Sequence, residues 1–93
     1  MGRYFIEITP DAKKDLKQHY KSGNKATLKK IEKILFELTE TPFQGEGKPE
    51  ELKHDLNGYW SRRINQKDRI IYRVQEDVVT VFIISATGHY KDK

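Results

Sequence analysis

Glu50, His89 and the arginines at 62, 63 and 69 are the side chains of this 93-residue sequence whose types suit chemistry. Acid–base cleavage needs one group to take a proton, a second to return one, and cations to hold developing negative charge. Breakage of an RNA phosphodiester by its own 2′-hydroxyl asks for that set without a metal. A base deprotonates the attacking hydroxyl, an acid protonates the departing 5′-oxygen, and planar, permanently charged guanidinium groups suit the pentavalent phosphate. Glu50, His89, Arg63 and Arg69 are of the right types for these roles. The same residues can equally be read as a solvated loop acid, cross-strand ion pairs of the arginines with Glu7, Asp68 or Asp77, and a histidine on a frayed tail. Tyr90, beyond the last strand, has nothing obvious to pack against, which favours a substrate-facing position.

Other chemistries find less support. His19, His54 and His89 are scattered and there is no cysteine, so no metal-ligand set and no cofactor is expected. Ser61 falls in mid-strand, without the elbow that exposes a nucleophile. Lys48 follows a glycine but lacks the spacing of a phosphate-binding loop. Trp60, the single tryptophan, reads as a core or sheet-covering residue rather than a base-stacking platform.

The elements that must position these residues follow from periodicity. Tyr4, Ile6 and Ile8 alternate with Arg3, Phe5 and Glu7, which suits a strand. Thr9-Pro10-Asp11 opens a helix with a cap, a first-turn proline and an acid, Ala12, Leu16 and Tyr20 recur at helical spacing, and Ser22-Gly23 stops it. A second helix starts at Asn24 and carries the stripe Leu28, Ile31, Ile34, Leu35 and Leu38, with Lys25, Lys29, Lys30, Lys33 and Glu37 outside, up to Thr41-Pro42. A loop with glycines at 45 and 47 leads to Glu50-Glu51-Leu52, a short turn or strand, and to the turn signal Asn57-Gly58. Tyr59 to Ile64, Arg69 to Val74 and Val78 to Ser85 then form a meander, in which alternation puts Arg69, Ile71 and Arg73 on the side away from the helices. The expected fold is a single α+β domain over residues 1–93, two N-terminal helices on one face of a mostly antiparallel sheet of about four strands.

The net charge of +4 favours polyanionic partners. No signal peptide or membrane-spanning run is present, so a cytoplasmic protein with no membrane association is expected.

The motifs TPFQGEGKPEELKHDLNGYWSRRI, DRIIYRV and the closing GHY stand in the order and spacing of a known family. Over nearly its whole length the chain resembles the YoeB-type toxins of bacterial toxin–antitoxin pairs, within the RelE superfamily. By position, the resemblance implies that Glu50 of GKPE is the general base, Arg69 of DRIIY the phosphate-stabilising arginine and His89 the general acid, with Tyr90 beside it. It implies that Arg63 of WSRRI and Lys53, together with Arg62 and Lys48 in the same motifs, bind RNA or support the site. The activity implied is that of a cofactor-free endoribonuclease cutting mRNA in the ribosomal A site. The implied partners are the ribosome with its mRNA, an antitoxin whose C-terminal segment wraps the toxin, and a second toxin copy in a homodimer. The chain departs from the family pattern at Asp68, where histidine is common and where an acid is expected to pair with a neighbouring base. Thr87, at a basic position, and the Lys91-Asp92-Lys93 extension depart from it too.

Overall fold

Residues 3–53 and 57–85 are described by the computed structural model, positions 83 and 85 by their backbone alone. The first strand, β1 (Phe5–Ile8), turns Ile6 and Ile8 inward and Phe5 and Glu7 outward, as its alternation requires. Thr9 caps helix α1 (Pro10–Ser22), its Oγ1 accepting from the Ala12 N–H at 3.2 Å, and Gly23 closes it at φ 74°. Asn24 opens α2 (Lys25–Leu38) in the same way, accepting from the Thr27 N–H at 3.0 Å. α2 ends three residues before the expected stop at Thr41. The N–H groups of Thr39, Glu40 and Thr41 fold back onto the carbonyls of Phe36 and Glu37, which tightens the last turn and satisfies those acceptors.

The remaining strands are β2 (Glu50–Glu51), β3 (Tyr59–Arg63), β4 (Arg69–Gln75) and β5 (Val78–Ser85). They assemble in the order β1-β5-β4-β3-β2, with β1 parallel to β5 and every other pair antiparallel. The sheet therefore has five strands where the sequence pattern leads to about four. The extra one is the two-residue β2, too short to show a period.

Both helices lie on one face. Ala12 of α1 and Ile31, Ile34 and Leu38 of α2 pack on Ile64, Ile70, Tyr72, Val79, Val81 and Ile84 in one buried cluster, with Trp60, Val74 and the inward residues of β1 at its margin. Ile71, although buried, belongs to the opposite face, with Arg69 and Arg73 on either side of it along β4. No helix among the described residues is long and apolar enough to cross a membrane.

Candidate active site

The face turned away from the helices buries Ser61 and Ile71 and leaves Glu50 and Arg63 exposed, and the strand register decides which residues share it. Directly paired residues project to the same side. Glu50 pairs with Ser61, Ser61 with Ile71, and Arg63 with Arg69, so Glu50, Arg63 and Arg69 come together on the face turned away from the helices. β2 and β4 are two strand spacings apart, about 10 Å. Arg63 and Arg69 are directly opposite each other, an arrangement that repels unless an anion sits between or over them. Among the described residues neither has a carboxylate partner, and Glu50 is exposed and unpaired. The cross-strand ion pairs with Glu7, Asp68 or Asp77 are not formed.

Arg62 is placed differently from its neighbour. It shares the helix-facing side with Trp60 and Ile64 and is fully buried, so it cannot be an RNA contact, and what remains of its expected role is support. Its guanidinium donates to Glu37 Oε1 at 2.9 Å, to the carbonyls of Thr41 and Gln44 at 2.6 and 2.9 Å, to that of Glu46 at 3.4 Å, and to the Tyr72 hydroxyl at 3.2 Å. The Tyr72 hydroxyl in turn donates to the Pro42 carbonyl at 2.6 Å. Glu37, expected on the outside of α2, instead accepts from both Arg62 and the Glu46 N–H. One buried cation thus gathers the backbone of residues 41–46, and Lys30 and Lys33 hold the Glu46 side chain from α2. The hydrogen bond from Lys30, then the charges of Lys30 and Lys33, keep the Glu46 carboxyl below its ordinary range.

The glycines of this loop follow from the same packing. Gly47 has φ 88°, and a Cβ there would lie 2.7 Å from the Arg63 carbonyl, whose own N–H donates to the Gly47 carbonyl at 2.8 Å. Lys48 follows in the left-handed region at φ 52°, exposed, and the chain then runs through Pro49 into Glu50. Gly47→Ala is expected to push the loop off β3 and shift Glu50. Activity should fall at least tenfold, with a loss of about 1–3 kcal/mol in urea unfolding from the strained dihedral and the backbone clash. A variant as active as the wild type would show that the close approach is dispensable.

Lys53 is exposed just past β2. Among the described residues Asp68 meets no basic group; it is buried in the β3–β4 turn, where its carboxylate accepts from Asn65 Nδ2 at 2.8 Å. Trp60 packs at the core margin against Phe43, with ring centroids 5.0 Å apart, as a sheet-covering residue. His89, Tyr90, Thr87 and the 91–93 extension lie outside the described residues, as does His54. Periodicity gives no sign of how α1 holds the strand leading toward them. β1 pairs with β5 only as far as Ile8 and Val81, and beyond that point side chains replace the missing strand. Thr9 Oγ1 donates to the Phe82 carbonyl at 3.3 Å, Asp15 Oδ2 accepts from the Ile84 N–H at 3.0 Å, and His19 Nε2 lies 2.8 Å from the Ile84 carbonyl. The i, i+4 spacing of Asp15 and His19 on α1 was the available signal.

A mixed five-stranded sheet backed by two helices is an architecture this chain shares with solved toxins of bacterial toxin–antitoxin systems. The YoeB dimer from Staphylococcus aureus superposes with a TM-score of 0.75 at 34% identity, over 89% of this chain and 95% of that one. The toxin in the heterotetrameric YoeB–YefM toxin–antitoxin complex of the same organism matches equally, at TM-score 0.75 and 34% identity over 89% and 95% of the two chains. Toxin YoeB of Escherichia coli O6:H1 is 42% identical over 72 residues, covering 77% of this chain and 83% of its own. The family model for the YoeB-like toxin of bacterial type II toxin-antitoxin systems matches residues 8–90. The chain belongs to that family.

Proposed function

We propose that the protein is a ribosome-dependent endoribonuclease that cuts mRNA in the A site and so arrests translation in the bacterial cytoplasm. The observation that carries this reading is the pair of opposed arginines, 63 and 69, without a carboxylate partner among the described residues, on the same sheet face as the exposed Glu50. Glu50 takes the proton of the 2′-hydroxyl, the 2′-oxygen attacks phosphorus, and Arg69, with Arg63 beside it, stabilises the charge on the pentavalent phosphate. His89 protonates the departing 5′-oxygen, leaving a 2′,3′-cyclic phosphate, and Tyr90 stands next to it. Lys48 and Lys53 contact the RNA backbone, and Arg62 supports the loop. Base, acid and cations all come from the chain, so no metal or organic cofactor is required. Residues 1–93 act as one domain.

Partners follow from the same reading. An antitoxin segment covers the open face and neutralises it, as the S. aureus relative's complex with YefM suggests, and a homodimer is in keeping with that relative's dimer.

The test is to add the protein to translating ribosomes and map mRNA 5′ ends. New ends at A-site codons are expected, falling at least 100-fold with His89→Gln or Glu50→Ala. Slowed translation on intact mRNA, unaffected by His89→Gln, would instead make the protein a non-catalytic binder.

A further inference from the structure

We propose that Tyr59, Arg73 and Phe82 form a stacking subsite for a base of single-stranded RNA, on the same sheet face as Arg69. This subsite deepens the function proposed above and rests on it for the identity of the substrate.

Tyr59 pairs with Arg73 across β3 and β4, and the Arg73 guanidinium lies over the tyrosine ring, 5.8 Å from its centroid. Phe82 also meets Tyr59, edge-on, with ring centroids 5.3 Å apart. Phe82 reaches this face through a break in the β4–β5 register. Ile71 pairs with Ile83 and Tyr72 with Val81, so Phe82 is an extra residue in the ladder. Val81 and Ile84 both enter the helix-side core, with two residues between them where plain alternation allows one. Such bulges re-aim side chains and gather next to functional sites.

Arg73 is exposed and has no carboxylate partner among the described residues, and Tyr59 and Phe82 are only half-buried. Arg69 and Arg73 lie on one face of β4, four residues and about 13 Å apart, a span of a few extended nucleotides. A phosphate held at Arg63 and Arg69 therefore leaves a base a few nucleotides along the strand near Tyr59, Arg73 and Phe82. Aromatic rings beside cations bind single strands in a sequence-tolerant way, because every base has a π-face. An acidic peptide could use the arginine but has little use for the ring stack.

The experiment is titration of a fluorescent 2′-O-methylated hexaribonucleotide, which lacks the attacking hydroxyl, into the full chain and its variants. Tyr59→Ala should bind about 5- to 100-fold more weakly, Tyr59→Phe like the wild type, and Arg73→Ala several-fold more weakly without loss of thermal stability, since its side chain is exposed. Wild type that fails to bind, or Tyr59→Ala and Arg73→Ala that bind unchanged, overturns the subsite. Unchanged oligonucleotide binding with weakened hold on an acidic peptide overturns it too, and gives the face to a protein partner. The cleavage assay on ribosomes separates the two readings. Oligonucleotide binding that depends on Tyr59 and Arg73, in a protein that cuts no mRNA, keeps the subsite and removes the nuclease.

Discussion

Arg69→Ala is expected to lower the rate of mRNA cleavage on ribosomes by about 10²- to 10³-fold, the cost of removing one preorganised donor from a developing oxyanion. Arg69 is on a central strand, paired on one side with Arg63 and on the other with Ser85, so its backbone is held while its side chain has no carboxylate partner among the described residues. Its loss should leave the fold intact, because relieving the repulsion with Arg63 offsets whatever packing the stem supplied. Arg69→Lys should recover only part of the rate, since an ammonium keeps the charge but not the planar fork that matches a phosphate. The measurement is single-turnover cleavage beside urea unfolding. A variant that keeps the wild-type rate, or loses rate only in proportion to stability, would remove Arg69 from the chemistry. Arg63→Ala should cost less, because Arg69 still faces Glu50.

How much of this site the sequence discloses depends on the range of the interactions that build it. Alternation along β4 puts Arg69, Ile71 and Arg73 on one face, and the structure agrees, because a period of two is a local property that burial of Ile70 and Tyr72 on the other face enforces. The helices were equally legible, since Thr9 and Asn24 cap them with side chains that reach only three residues ahead. Arg62 and Arg63 show where legibility stops. Alternation along β3 already sets Arg62 with Trp60 and Ile64 and Arg63 with Tyr59 and Ser61 on opposite faces, but only tertiary placement makes one a buried organiser and leaves the other exposed. Neither Glu37, which reads as solvated helix surface, nor Tyr72, which reads as plain core, announces its bond to Arg62, because the partners are 25 and 10 residues away. The two-residue β2 is likewise fixed by β3 alone.

Arg62→Ala should be strongly destabilising, because it removes at once the five hydrogen bonds donated by a fully buried guanidinium. Breaking a buried pair by deleting one partner costs about 3–5 kcal/mol, comparable to the whole stability of a small domain, about 5 kcal/mol. The Glu37 carboxylate and the carbonyls of Thr41 and Gln44 would be left without the cation that satisfies them. Arg62→Met fills the space yet supplies no donor, so it should unfold nearly as easily. Adding Glu37→Met to it removes the stranded charge and should recover part of the stability. Activity should not return with it, because the loop carbonyls still lack the donor that holds residues 41–46 and, beyond them, Glu50. Tyr72 supplies a second readout. Burial raises its pKa above the ordinary 10.0, outweighing the opposing hydrogen bond and charge of Arg62. The folded state thus holds that proton more tightly than the unfolded chain. Its contribution is complete below about pH 10 and is lost as pH rises through the folded value. Without Arg62 the phenolate loses its nearest cation, and alkaline unfolding monitored by phenolate absorbance should become steeper. An Arg62→Ala protein that unfolds within about 1 kcal/mol of the wild type, with cleavage intact, would mean that the loop holds Glu50 without its buried cation.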